Sequence, residues 1–152
     1  PYGVNDALCR KLGLEDVCGI LKEGETDIAY MGELPEEMTT EDFAAHIKEA
    51  LGLSAVRCTA VSKMLRTVAV VGGAGGVYAL AAQAKGADAF VTGEVKHHEA
   101  IAAQQAGLAL YEAGHYHTEL PYRERLKAYL DTACPGVEFI VSESERPPME
   151  TL

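Results

Sequence analysis

The chain has 152 residues, 48% apolar and 24% charged, the profile of one globular domain with a real core rather than of a disordered segment. Its formal charge of −10, from 13 Lys+Arg against 23 Asp+Glu, disfavours nucleic-acid binding through a broad surface, since the longest basic run is Arg123-Glu124-Arg125, which an acid interrupts. No apolar run reaches the length of a membrane span and no secretory pattern opens the chain, so the reading is a cytoplasmic protein without membrane contact.

In chain order, residues 5–14 read as a short helix, with Asn5 or Asp6 as its cap and Gly13 as its stop. Residues 18–21 and 28–34 read as strands around a polar turn at 22–25, the second ending at Pro35, which cannot donate to a ladder. Residues 39–51 form a stronger helix: Thr39 or Thr40 caps it, and Glu41 and Asp42 suit its positive end. Phe43, Ile47, Ala50 and Leu51 share its apolar face, and Gly52 closes it. Residues 56–61 are β-like.

From Thr67 the pattern becomes regular. Strands at 68–71, 89–92 and 108–111 each run into a glycine-containing loop, and helices follow at 77–85, 97–106 and from about 118 to 133. Residues 137–141 read as a last strand and 146–152 as a tail, leaving 1–145 as a single α/β domain. Such alternation predicts a mostly parallel or mixed sheet with helices covering both faces. Ligands bind beyond the carboxyl ends of parallel strands, so the three loops should meet there. They carry Gly72-Gly73, then Thr92, Glu94, Lys96, His97 and His98, then His115, His117 and Glu119.

Imidazole and carboxylate suit borderline divalent metals, and a His and a Glu four residues apart share one side of a helix. His115 and Glu119 are therefore the leading candidates for metal ligands, against the alternative that His115 and His117 are loop residues satisfied by hydrogen bonds. Pro121 is tolerated only in a first helical turn, which with Thr118 as the cap would put His115 ahead of the helix. Adjacent helical residues point about 100° apart, so one of His97 and His98 should face the site and the other solvent. Glu94 and Lys96 fit a surface pair equally well. Gly72-Gly73-Ala74-Gly75-Gly76 lacks the dinucleotide spacing and a P-loop lysine, which favours a tight packing turn. Cys9, Cys18, Cys58 and Cys134 form no Cys-x-x-Cys pair and read as free thiols.

Several stretches, in order, carry a family resemblance: Gly3-Val4-Asn5-Asp6-Ala7-Leu8, Gly32-Glu33-Leu34-Pro35, Val68-Ala69-Val70-Val71-Gly72-Gly73-Ala74-Gly75, Val91-Thr92-Gly93-Glu94-Val95-Lys96-His97-His98 and Glu112-Ala113-Gly114-His115-Tyr116-His117-Thr118-Glu119. Together they resemble the NGG-interacting-factor-three-like proteins with a dinuclear metal centre, also known as GTP cyclohydrolase I type 2 homologues. The resemblance implies two intertwined α/β repeats, of which this chain holds one and part of a second, assembled into a ring-shaped homo-oligomer such as a hexamer built of dimers or trimers. It makes His115 and Glu119 the C-terminal metal ligands, places His98 near the metal and puts Thr92 and Gly93 at the strand end beneath. The remaining ligands, a His-His pair and an Asp, would precede the Gly-Val-Asn-Asp helix, and none stands upstream of Pro1 here.

The chain is accordingly expected to be the C-terminal portion of a longer protein. The complete site would hold two divalent ions, and His/carboxylate donors accept zinc, iron, manganese or nickel alike. Two ligands rarely hold an ion against water, so weak or absent binding is expected of this chain alone. The activity implied is hydrolase-type attack on a small molecule, a nucleotide such as GTP, by metal-activated water, with His98 or His117 moving protons. A non-catalytic metal-binding or regulatory protein is the alternative, and a folded piece with neither metal nor activity is the plainest reading.

Overall fold

The computed structural model describes residues 3–149; Pro1, Tyr2 and residues 150–152 of the expected tail lie outside the described residues. Helix α1 (Val4–Lys11) is followed by Gly13 at φ +69°, a conformation that stops a helix at little cost for glycine. Its N-cap is Gly3, not Asn5 or Asp6. Both side chains are used elsewhere. The Asn5 amide donates to the Ile28 carbonyl (2.8 Å), and its oxygen accepts from Gly72 N–H (2.7 Å). Asp6 is buried and accepts from Arg10 and Arg125.

Strands β1 (Glu15–Glu23) and β2 (Thr26–Thr39) form an antiparallel hairpin that turns at Gly24. β2 runs through Pro35 instead of ending there. Its pairing with the next sheet neighbour slips between Glu33 and Met38, so the proline falls where no ladder bond is required. Helix α2 (Thr40–Leu51) follows as expected: the Thr39 hydroxyl accepts from Asp42 N–H (3.1 Å), and Gly52 ends the helix at φ +68°. The β-like stretch at 56–61 shrinks to the two-residue edge strand β3 (Arg57–Cys58).

Next come β4 (Met64–Val71), a 3-10 turn (Gly76–Tyr78) leading into α3 (Ala79–Ala84), β5 (Ala89–Thr92), α4 (His97–Gln105) and β6 (Ala109–Glu112). The helix expected from 118 to 133 is two helices, α5 (His115–Glu119) and α6 (Tyr122–Ala133). Pro121 is the reason: it lacks an N–H and cannot sit in a helix interior, so it serves as the N-cap residue of α6. The strand expected at 137–141 does not form. Val137 and Ile140 are 57% and 80% exposed, and a strand needs a partner edge that nothing described here provides.

The six strands make one mixed sheet in the order β1-β2-β4-β5-β6-β3. β4, β5 and β6 are parallel, which bears out the reading of the strand–glycine–helix repeats, and the other neighbours pair antiparallel. Alternation along β4 sends Val68 and Val70 to one face and Ala69 and Val71 to the other. The first face packs on α1 and α2 through Leu8, Leu12, Phe43 and Ile47. Tyr111 stands edge-on to Phe43, with centroids 5.2 Å apart, and donates its hydroxyl to the Thr40 carbonyl. The second face packs on α3 and α4 through Ala79, Ala82 and Ala103. Small residues let those helices lie close to the sheet, while the first face carries the bulkier core. Truncating Phe43 to alanine there would cost about 3–5 kcal/mol. Among the described residues, no helix is long and apolar enough to cross a membrane.

Candidate functional site

The carboxyl ends of β4, β5 and β6 lie side by side, and one carbonyl ties their loops together. Gly73 O accepts from Gly93 N–H (2.8 Å), Glu94 N–H (3.0 Å) and the buried Thr92 hydroxyl (3.1 Å). The third loop joins through Gly114 N–H donating to Gly93 O, and through Thr118. The Thr118 hydroxyl is fully buried and accepts from Gly73 N–H (3.1 Å) while donating back to the first turn of α5. Thr118 thus joins α5 to the glycine loop rather than capping α6. This lattice of backbone bonds fixes where α5 begins.

Two glycines are sterically required. A Cβ on Gly93 would lie 2.6 Å from His115 Cα and 2.7 Å from Gly73 O. Both contacts are with backbone, so no side-chain rotation relieves them. Gly73 has φ +70°, and a Cβ there would lie 2.8 Å from Glu119 Oε1 and 3.0 Å from His115 Nε2. Gly73 is the floor under these two side chains.

His115 and Glu119 are the first and last residues of α5 and project from the same side of its single turn. His115 Nε2 lies 3.3 Å from Glu119 Oε1, and His115 Nδ1 lies 2.6 Å from Glu94 Oε1. Both side chains are close to half exposed, so the pair opens to solvent. When the Nδ1 proton is given to Glu94, Nε2 is left with a lone pair facing Glu119, the arrangement a bound cation would use. Two electron-rich atoms at that separation, above a glycine whose missing Cβ leaves room, form a donor pair that fits a divalent cation. Glu94, which pattern reading treats as half of a surface pair with Lys96, instead orients the histidine. Its place right after a strand-end glycine was the only hint in the sequence.

The other three histidines of these loops go elsewhere. His98 is exposed in the first turn of α4, with His97 beside it. Among the described residues, no hydrogen bond joins either one to His115 or Glu119. His97 lines a cleft of about 560 Å³ with Cys58 and the ion pair Arg57–Glu112. His117 stands edge-on to Tyr116 and lines a different cleft, bounded by α1, the end of α2 and α6. α4 is closed at its start by Glu99, whose carboxylate accepts from Lys96 N–H (2.8 Å). Among the described residues, no group of three or more His, Cys, Asp or Glu side chains is placed to hold an ion. The described residues thus place His115 beside Glu119, with Glu94 on the far side of the ring.

Comparison with known proteins gives a consistent result. A Staphylococcus aureus protein named GTP cyclohydrolase 1 type 2 homolog is 41% identical over 104 residues, which are 68% of this chain and 28% of that protein. The chain thus matches little more than a quarter of the length of that relative. The crystal structure of Staphylococcus aureus hypothetical protein SA1388 superposes with a TM-score of 0.90 at 27% identity, over 100% of this chain and 65% of the other. A Bacillus cereus protein related to NIF3 shares the fold, with a TM-score of 0.85 at 19% identity over 100% of this chain and 70% of its own. The family model described as Duf34/NIF3 (NGG1p interacting factor 3) matches residues 1–148, and this chain belongs to that family.

Proposed function

We propose that the chain supplies one side of a divalent-metal centre, with His115 and Glu119 as ligands and Glu94 as the acid that orients His115. The observation that carries this reading is the 3.3 Å approach of Nε2 to Oε1 with Nδ1 already engaged at 2.6 Å. Two protein donors bind an ion weakly against water, so the complete centre needs ligands from outside the set described here. An ion bound there would supply Lewis acidity and an acidified water, the basis of hydrolase-type chemistry on a small molecule.

The chain's own contribution is positional. Gly73 and Gly93 let the three loops close beneath His115, Thr118 anchors α5, and Glu94 sets the imidazole tautomer. The name of the Staphylococcus aureus relative points to a nucleotide such as GTP as the substrate class, and a homo-oligomeric ring is the assembly proposed with it. His98 and His117 are proposed as proton carriers for groups of the substrate, each on its own side of the loop cluster.

The test is metal content of the full-length protein, which supplies the remaining ligands, after loading with zinc or manganese, compared between wild type, His115→Ala and Glu119→Gln. Each substitution is expected to lower binding by about tenfold or more. Unchanged content in His115→Ala would remove the reading. A non-catalytic metal-binding or regulatory role is the second reading, favoured by the open, two-donor character of the site. Stoichiometric metal without turnover of any nucleotide would select it.

A further inference from the structure

Glu94 is exposed, so packing does not aim its side chain at His115; the backbone that carries it must. That backbone is held at two consecutive amides. Glu94 N–H donates to the Gly73 carbonyl (3.0 Å), and Val95 N–H donates to Oε1 of Glu112 (3.2 Å). The two bonds bracket the Glu94 α-carbon, one on each flanking peptide unit, and so restrain both of its soft dihedrals. The first belongs to the glycine lattice beneath the metal donors. The second is made by a side chain, from the last strand of the parallel unit.

Glu112 ends β6, three positions before His115, and lies beside Thr92 in the parallel register of β5 and β6. Its side chain is 20% exposed, against 58% for Glu94, so it is the anchored member of the two acids. Its other oxygen, Oε2, accepts from Arg57 Nε (2.5 Å), the residue opposite it on the edge strand β3. Arg57 is exposed, and so open an ion pair contributes at most about 1 kcal/mol. Pairing with β3 therefore accounts for one oxygen of Glu112 and leaves the other for the loop that carries Glu94. A backbone N–H bonded to an ionised carboxylate is held more strongly than by a neutral acceptor.

We infer that Glu112 is a positioning residue for the metal centre, acting through Glu94. Glu112 holds the peptide that follows Glu94, Glu94 engages Nδ1 of His115, and Nε2 is thereby left toward Glu119. The two loops that meet here are tied twice. Backbone bonds run from Ala113 N–H to Thr92 O (2.8 Å) and from Gly114 N–H to Gly93 O (3.1 Å), and the Glu112 side chain adds the bond nearest Glu94. The inference rests on the proposed metal centre and adds to it an acid that touches neither His115 nor Glu119.

The experiment is a zinc competition titration of the full-length protein, with thermal unfolding of each variant alongside. Glu112→Ala is expected to weaken zinc binding by about fivefold or more, because the Val95 amide loses its acceptor. Glu112→Gln keeps an oxygen for that amide and should bind within about twofold of wild type, even where the lost ion pair lowers the melting temperature. Arg57→Gln removes the ion pair but not the Val95 bond, and should also stay within about twofold. In a Glu94→Ala background, which leaves no carboxylate to position, Glu112→Ala should weaken binding no further. Wild-type affinity in Glu112→Ala, an equal loss in Glu112→Gln or Arg57→Gln, or a full additional loss in the Glu94→Ala background would each overturn the inference. Unchanged zinc binding in His115→Ala would instead overturn the metal reading, and this inference with it. Zinc lost in His115→Ala together with any of the other three results sinks the role of Glu112 alone.

Discussion

Nδ1 of His115 lies 2.6 Å from Oε1 of Glu94, across a sequence separation of 21 residues. The contact joins the loop after β5 to the start of α5 and settles which imidazole nitrogen faces Glu119. Orienting acids of this kind tune metal ligands without touching the metal.

Glu94→Gln should therefore lower metal affinity by about 10- to 100-fold while changing stability by no more than about 0.5 kcal/mol, because Glu94 is exposed. A zinc competition titration alongside urea unfolding separates the two effects. Wild-type affinity in this variant would show that the contact has no role in the site.

Gly93→Ala is expected to cost about 1–3 kcal/mol, because the added carbon meets the His115 backbone and the Gly73 carbonyl, neither of which can rotate away. A fall in the urea midpoint at constant m-value measures it. Gly107→Ala makes a useful comparison: its Cβ meets nothing within 4 Å, and only its φ of +70° opposes the change. If the two variants lose equal stability, steric closure under His115 is not what requires glycine at position 93.

Cys9 is buried, whereas Cys18, Cys58 and Cys134 are exposed. Burial, reinforced by the nearby Asp6 carboxylate, pushes the Cys9 thiol up to about 12, so it stays protonated at mildly alkaline pH. A thiol-reactive dye at pH 8 should label three cysteines in the native chain and the fourth only after denaturation. Rapid native labelling of Cys9 would contradict the packing of α1 on the sheet.

Asp88 lies below its ordinary value. Burial acts to raise it, but Lys63 and the N–H groups of Thr67 and Arg66 together outweigh that burial. A carboxylate depressed in the folded state stabilises above its unfolded pKa, about 3.9, and that contribution fades as pH falls through the lower folded value. Asp88→Asn should thus be destabilised at neutral pH and converge toward wild type in strong acid. Thermal unfolding across that range reads the difference. A constant gap at all pH values would show that the effect is not ionic.

Local patterns were legible wherever a single element explained them. Thr39 as a cap, Gly52 as a stop and the buried run at 68–71 all follow from backbone chemistry and periodicity, which act over a few residues. The His115/Glu119 spacing was readable, but the helix was expected to start at Thr118, after His115; the short helix α5 that holds both residues emerged only with the fold. Asn5 was misread as a cap because nothing near it in sequence reveals the Ile28 and Gly72 groups that claim its amide. Residues 137–141 carry a strand's composition, yet composition cannot supply the neighbouring edge that makes a strand.

By itself, then, the sequence determined the parallel β4–β5–β6 unit and its three glycine loops, and marked the His115/Glu119 spacing, because each depends on short-range pattern; that both residues sit on one short helix was decided by the fold. Only the tertiary structure decided that Glu94 reaches His115, and that Arg10 and Lys11 stand opposite Arg123 and Arg125 around one cleft. The basic run at 123–125 looked broken by an acid along the chain. Folding regroups charge in space: buried Asp6 of α1 accepts from Arg125 of α6 as well as from Arg10 on its own helix.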